Sequence, residues 1–356
     1  MDCVAAQRAI LRTGVTPPVP RRRRLQIAIA LGVLAGFRMW LISTVARDPR
    51  DFEQIWFAAR MMLQHRNPYQ LVGPGLLYDM KFGFAYPLTA GVAALPLTSL
   101  SGAWASVVFV FIGGALFAWT LMEHGYEPLI GFMGAGMVYA AEAGQWSPLF
   151  SAIVCVPAVG FFFAAKPNIG AAAFAARPTW SAAIGAIVLT AIAFALQPNW
   201  VSEWRRVLAV PWGQPGALVG YPSPIALPWG FLIALCLLRW RRPEARFVLA
   251  LACVPQTTLF YETTPLFLVP RTWRQAAALV LLGYGVALWA HYASQGATLD
   301  TRVRYITTGR GITVGMYLPC VWMILRRRNE GSLPRWLEQR IAGWPAWLRG
   351  TASTHA

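Results

Sequence analysis

The stretch "RDPRDFEQIWFAAR", Arg47 to Arg60, sets Asp48, Asp51 and Glu53 at the mouth of a helix just past the first long apolar run. Carboxylates in such a place either do acid–base chemistry or cap the helix, with Asp48 or Asp51 accepting from its first backbone N–H groups. Other side chains able to do chemistry are sparse and scattered. Glu142 and Gln145 form a polar island between apolar runs. Lys166, one of only two lysines, stands beside Pro167, Glu262 follows Tyr261, and His291 closes an apolar run. Arg302 and Arg304 fall in a late polar segment, and the aromatic residues Trp56, Tyr69 and Tyr86 cluster around the acidic stretch and the turn "RNPYQ".

The elements that must position these residues are set by the composition. Of 356 residues, 57% are apolar and only 13% charged, and the mean hydropathy is +0.47. A soluble domain carries about 25% charged residues. The chain therefore reads as an all-α polytopic transmembrane bundle. Runs near the roughly 20 residues of a crossing helix lie at about 25–45, 84–100, 102–122, 128–143, 147–165, 167–177, 181–197, 222–238, 247–261, 275–292 and 311–325, with a proline-bounded half-span at 262–270. That predicts ten to twelve spans. The runs are continuous, as in "IAIALGVLAGF", which excludes the alternation of a membrane barrel.

The formal charge of +17 falls in bursts at span ends, Arg21–Arg24, Arg239–Arg246 and Arg326–Arg328. This is the positive-inside pattern and not a nucleic-acid groove. It predicts a disordered cytoplasmic segment at 1–24, a bundle at 25–325, a basic cytoplasmic tail at 326–356, and external segments at 46–83, 198–221 and 293–310. The run 25–45 reads as a retained anchor, because it is long and lacks a small-x-small cleavage site. Within 46–83, Phe52, Ile55, Trp56, Ala59 and Leu63 form one stripe, the mark of an amphipathic helix along the interface. In the second external segment Trp200, Trp204 and Trp212 suit the headgroup level.

Several chemistries are excluded. The five cysteines, Cys3, Cys155, Cys236, Cys253 and Cys320, have no paired spacing, and the four histidines show neither HxH nor HxxxH, so no metal site is expected. There is no GxGxxG opening a helix, no Walker loop and no DxD to hold a metal against a nucleotide diphosphate. No cofactor is expected.

The segment Asp51 to Leu97, "DFEQIWFAARMMLQHRNPYQ...FAYPLTAGVAALPL", resembles the opening of glycosyltransferase family 87, the polyprenyl-phosphate-mannose-dependent mannosyltransferases of the GT-C fold. The later pieces "AGQWSPLF", "AAKPNIGAAAF" and "VPQTTLFYETTPLFLVP" are similar to that family in the same order, so the resemblance runs over roughly residues 25–330.

The resemblance implies a GT-C bundle that takes a sugar from a lipid phosphate at the outer face of a bacterial inner membrane and passes it, with inversion, to a hydroxyl of a glycolipid or glycan. Asp51 matches the family's catalytic aspartate in the first external loop, which implies a general base, with Asp48 and Glu53 as second and third candidates. Such transfer also needs positive charge for the departing phosphate. Lys166, His291, Arg302 and Arg304 are the candidates, each to be weighed against use as a snorkelling interface residue. Trp56, Tyr69 and Tyr86 would stack on sugar faces or anchor the interface, Glu262 would orient acceptor hydroxyls, and Gln145 would belong to the donor pocket. Simple alternation of the spans, however, puts Gln145 on the inner side. The competing expectation is a transporter or lipid flippase, which would want ionisable residues near mid-span, where Arg38 is the clear one.

Overall fold

In the computed structural model the described residues are 19–45, 50–80, 82–211, 214, 222–255, 259–293, 301–331, 333 and 335–345, with the side chains of 301–306 and 335–337 not described. Asp48, Trp212, Cys3, His355 and the greater part of the expected disordered segment 1–24 lie outside them. They form an all-α structure apart from one parallel pair of two-residue strands, β1 (Val72–Gly73) and β2 (Tyr78–Asp79).

The frame is an antiparallel pair, α1 (Arg21–Val45) and α4 (Gly102–Leu121). Gly32, Gly36 and Gly114 allow the two backbones to close up. A Cβ on Gly32 would stand 2.8 Å from that of Ala115, and one on Gly114 2.9 Å from that of Ala35. In lipid, where helices gain little from hydrophobic burial, such close approach supplies the packing energy. Arg24 at one end of α1 reaches the Trp119 carbonyl (2.8 Å) and Glu123 (2.6 Å) at the far end of α4. This is the arginine-rich end of the bundle.

The opposite end is closed by α2 (Asp51–Leu63) and α3 (Leu88–Ala94), which pack side by side: a Cβ on Gly91 would stand 2.8 Å from the Met62 sulfur. The expected stripe on α2 is largely buried, Phe52, Ile55 and Ala59 among it, but Leu63 is exposed. The run 84–100, expected to cross, does not. Tyr86 sits beside Gln145, while Leu100 accepts from the Trp56 indole at 3.1 Å and Gly102 abuts Glu53, so both ends of the run stay on the α2 side.

Three pairs of short segments run from the arginine-rich end toward α2 and back. The first joins a 3₁₀ stretch, Glu127–Met133, and α5 (Ala135–Ala143) to α6 (Ser147–Ser151) and the turn Ala152–Val154. The second joins a 3₁₀ stretch, Pro157–Ala165, to α7 (Pro167–Ala176). The third joins α10 (Pro243–Cys253) to a 3₁₀ stretch, Phe260–Leu268. Their feet are pinned at the arginine-rich end, where Cys155 donates to Glu123 (3.2 Å), Arg246 to the Ala175 and Ala176 carbonyls (3.0 and 2.7 Å), and Arg327 to the Val269 carbonyl.

Prolines shorten these segments. Pro157, Pro167 and Pro243 open them at the first helical position and Pro128 and Pro148 stand at the second, where a missing N–H costs nothing but the chain before the proline is disfavoured as helix. The ten residues of α7 cover only about 15 Å at 1.5 Å per residue. Among the described residues, three helices are long and apolar enough to cross a membrane, Arg21–Val45, Gly102–His124 and Trp273–Ala293 (α11); a fourth is counted if α8 (Trp180–Leu196) and α9 (Trp200–Leu208), bent by 97°, make one span. Hydropathy alone counts each short limb as a crossing, which is why the expectation ran to ten or twelve. After α11, α12 (Thr301–Ile312) continues through a π-helical stretch, Thr313–Tyr317, into α13 (Leu318–Leu325). The basic tail is not free: Glu338 of α14 (Arg335–Ile341) binds Arg241 through both oxygens at 2.8 Å.

Candidate functional site

The three turning points carry the polar residues. Gly144 ends α5 in the left-handed conformation (φ 69°), its Cα so close to Phe52 that a Cβ would stand 2.9 Å from the Phe52 Cβ. That stop releases Gln145 from the helix toward α2. Lys166 lies between Pro157–Ala165 and α7, and Glu262 in the first turn of Phe260–Leu268. Backbone broken at membrane depth is tolerated only where it is buried or lines a cavity, and here the breaks converge on one spot.

Asp51 opens α2 but does not cap it. The cap residue is Arg50, whose backbone N–H is taken by Glu53 at 3.2 Å. Asp51 instead turns inward, where one carboxylate oxygen accepts from the Gln145 amide and the other weakly from Gln54 at 3.4 Å. The Gln145 carbonyl accepts from Lys166 Nζ at 2.6 Å, and the same ammonium donates to Glu262 at 2.5 Å. The amide orientation of Gln145 is thereby fixed, with oxygen to the cation and NH₂ to Asp51. Lys166 is framed by the Tyr86 and Tyr261 rings, 5.8 and 5.3 Å from their centroids, within range of a cation–π attraction.

Burial is deep. Glu262 is 1% exposed, Gln145 2% and Lys166 8%, whereas Asp51 keeps some accessible surface. Dense surroundings nonetheless raise the Asp51 carboxyl above its ordinary value, burial outweighing the lowering by Lys166 and by the hydrogen bonds from Gln145 and Gln54. Asp51 is thus densely surrounded while part of the residue stays accessible.

Hydrogen bonding in this region is incomplete. Arg50 Nε, Gln54 Oε1, Trp146 Nε1 and Glu262 Oε2 are buried without a partner among the described residues. Each such atom costs about 1–3 kcal/mol unless something else satisfies it. Ser147 stands beside Glu262, but its hydroxyl is committed to the Tyr261 carbonyl at 2.5 Å.

Of the residues expected at a site, Asp51, Gln145, Lys166, Glu262 and Tyr86 are brought together. Tyr69 stands one layer behind, its hydroxyl donating to the Tyr86 carbonyl at 3.1 Å. Trp56 faces away, toward Leu100 and Gly102, with Arg60 over its ring at 5.1 Å. Five residues on from Asp51, it is about 140° around the helix. His291 lies exposed at the far end of α11 against Tyr292, outside the hydrogen-bonded group. The Arg302 and Arg304 side chains lie outside the described residues.

Gln145 shares the end of Asp51. Because 84–100 returns to its own side, one crossing drops out of the alternation, and of the two placements left open for Gln145 the one beside Asp51 holds.

Sequence reasoning passed over three participants. Gln54, buried and one helical turn from Asp51, was legible from its i+3 spacing. Tyr261 was treated only as the neighbour of Glu262. Trp204 was placed at the headgroups, yet its indole donates to the Ala85 carbonyl at 2.8 Å and, with Tyr69, holds the "FAYP" segment from both sides. No local signal marks that contact.

No family model matches the chain, and neither a curated protein nor a solved structure proves similar to it.

Proposed function

We propose that this protein is a membrane-embedded inverting glycosyltransferase that moves a sugar, mannose on the resemblance, from a polyprenyl-phosphate donor to a hydroxyl of a glycolipid or glycan at the outer face of a bacterial inner membrane. The observation that carries the reading is the inward-turned Asp51 carboxylate, aimed away from its own helix cap and coupled through Gln145 to the Lys166–Glu262 pair. Ionised Asp51 accepts the proton of the acceptor hydroxyl as that oxygen attacks the anomeric carbon, and the donor phosphate leaves with its electron pair. Lys166 uses two of its three N–H donors on Gln145 and Glu262, and its charge offsets that of the leaving phosphate. The unpartnered oxygen of Glu262 accepts from a sugar hydroxyl. A GT-C bundle of ten to twelve spans, counting the short limbs, would hold this site about 21 Å along α1 from Arg24, since Arg38, fourteen residues on, pairs with Glu142 just before Gln145. The arginine-rich end is then cytoplasmic.

Mass spectrometry of membrane glycolipids with and without the protein tests the reading. A glycolipid one sugar shorter in its absence is the expected result, and an unchanged glycan profile overturns it.

A second reading is a transporter or flippase without glycosyl transfer. The depth of Lys166 and Glu262 favours it, since buried ionisable groups serve as relays in transporters. Uptake or lipid scrambling by proteoliposomes that depends on Lys166 but survives Asp51→Asn would select it.

A further inference from the structure

A recess lies away from Asp51. It is a groove of about 700 Å³ between α11 and the α12–π–α13 helix, closed at one side by Pro228 and Trp229. Its walls include Gly285, Val286, Trp289 and Val314, and its lining is apolar with one charged side chain, Arg310. The π-helical stretch Thr313–Tyr317 supplies Val314 and Gly315 to it. Such wide turns are rare and are frequently found at functional sites.

Arg310 is exposed, and no hydrogen bond or ion pair engages it among the described residues. It stands fifteen residues before Leu325, about 22 Å along the helix from the arginine-rich end, with Trp289 beside it in the groove wall. An unpaired guanidinium at that depth, at one end of an apolar trough, calls for an anion that carries its own apolar chain. The groove faces outward, away from the Asp51 group. On α11 a Cβ at Gly283 would meet Met316 and Ala135 inside the bundle, whereas one at Gly285, on the opposite side of the helix, would meet nothing within 4 Å. A lipid held there cannot present its head group to Asp51, so it is not the sugar donor.

We propose that this groove is a binding site for an anionic phospholipid of the surrounding bilayer, one acyl chain lying over Gly285 and Val286 and the phosphate on Arg310. The site does not depend on the glycosyl-transfer reading.

Native mass spectrometry of the full-length protein released from nanodiscs of equal parts phosphatidylglycerol and phosphatidylethanolamine tests it. The wild type retains phosphatidylglycerol in preference. Arg310→Gln lowers that preference about fivefold, the worth of one cationic contact near a membrane surface. Gly285→Leu, whose Cβ would meet nothing within 4 Å and whose side chain projects into the trough, removes the retained lipid while the melting temperature stays near wild type. Equal retention of the two lipids, an unchanged preference in Arg310→Gln, unchanged retention in Gly285→Leu, or recovery of a polyprenyl phosphate in place of phospholipid would each overturn the assignment.

Discussion

The two ends of the bundle both concentrate charge in a low-dielectric setting, and they treat it in opposite ways. At the arginine-rich end the guanidinium groups are spent on structure. Arg242, Arg271 and Arg327 converge on Glu244 at 2.9, 3.6 and 3.0 Å. Arg246 closes the last carbonyls of α7, and Arg239 binds the carbonyls of Leu325 and Arg327. These are the helix-end acceptors that otherwise go unpaired. At the other end one ammonium binds Glu262 directly and reaches Asp51 only through Gln145, and four polar atoms in the region have no partner among the described residues. The first arrangement is saturated and fixes the feet of the helices. The second is unsaturated, the condition expected where a polar substrate completes the hydrogen bonding.

The contrast can be broken by mutation, most severely at Lys166. Lys166→Met leaves Glu262 as an uncompensated buried charge and is expected to destabilise the protein by about 3–5 kcal/mol, whereas the double change Lys166→Met with Glu262→Leu restores most of the stability, because an apolar pair of similar volume is often neutral. Thermal unfolding in detergent reads both. At the saturated end, Arg246→Ala removes hydrogen bonds to four carbonyls, those of Ala175, Ala176, Trp240 and Arg241, and costs about 2–4 kcal/mol at roughly 0.5–1 per lost hydrogen bond, with sugar transfer per folded molecule unchanged. At the frame, Gly114→Val must push α1 from α4 and costs about 1–3 kcal/mol, read by the same melt. Tyr69→Phe removes one hydrogen bond behind Tyr86 and costs about 1 kcal/mol, with a modest rise in KM.

A pH profile sharpens the same comparison. Burial holds the Asp51 pKa above its ordinary 3.8, so the folded protein binds that proton more tightly than the unfolded chain does. The stability this proton confers is present below pH 3.8 and is lost as pH rises through the folded value. Transfer runs the other way, because only ionised Asp51 accepts a proton. Activity is expected to fall on acidification at a pH above 3.8, and Asp51→Glu moves that limb without removing it.

Much of this was legible in the sequence. The bundle followed from hydropathy, the arginine-rich end from its bursts, and α2 from its stripe. The prolines that cut the short limbs were visible, but a hydropathy window cannot tell a limb that turns back at mid-depth from one that crosses. Counting spans therefore set Gln145 on the inner side while the donor-pocket role wanted it outside, and the two stayed open, although its neighbour Gly144 announced the helix stop that delivers it to Asp51. The spacing Gly32-x-x-x-Gly36 marked the α1–α4 contact and went unused. Trp56 and Tyr86 were equal candidates because composition reports that an aromatic residue is present and not which way its helix turns it.

The most direct test is sugar transfer from a labelled polyprenyl-phosphate donor by the purified protein in proteoliposomes, wild type against Asp51→Asn at matched fold and amount. Loss of a positioned general base predicts a fall of at least about 100-fold with an unaltered melting temperature. An asparagine variant that transfers sugar at the wild-type rate would contradict the account.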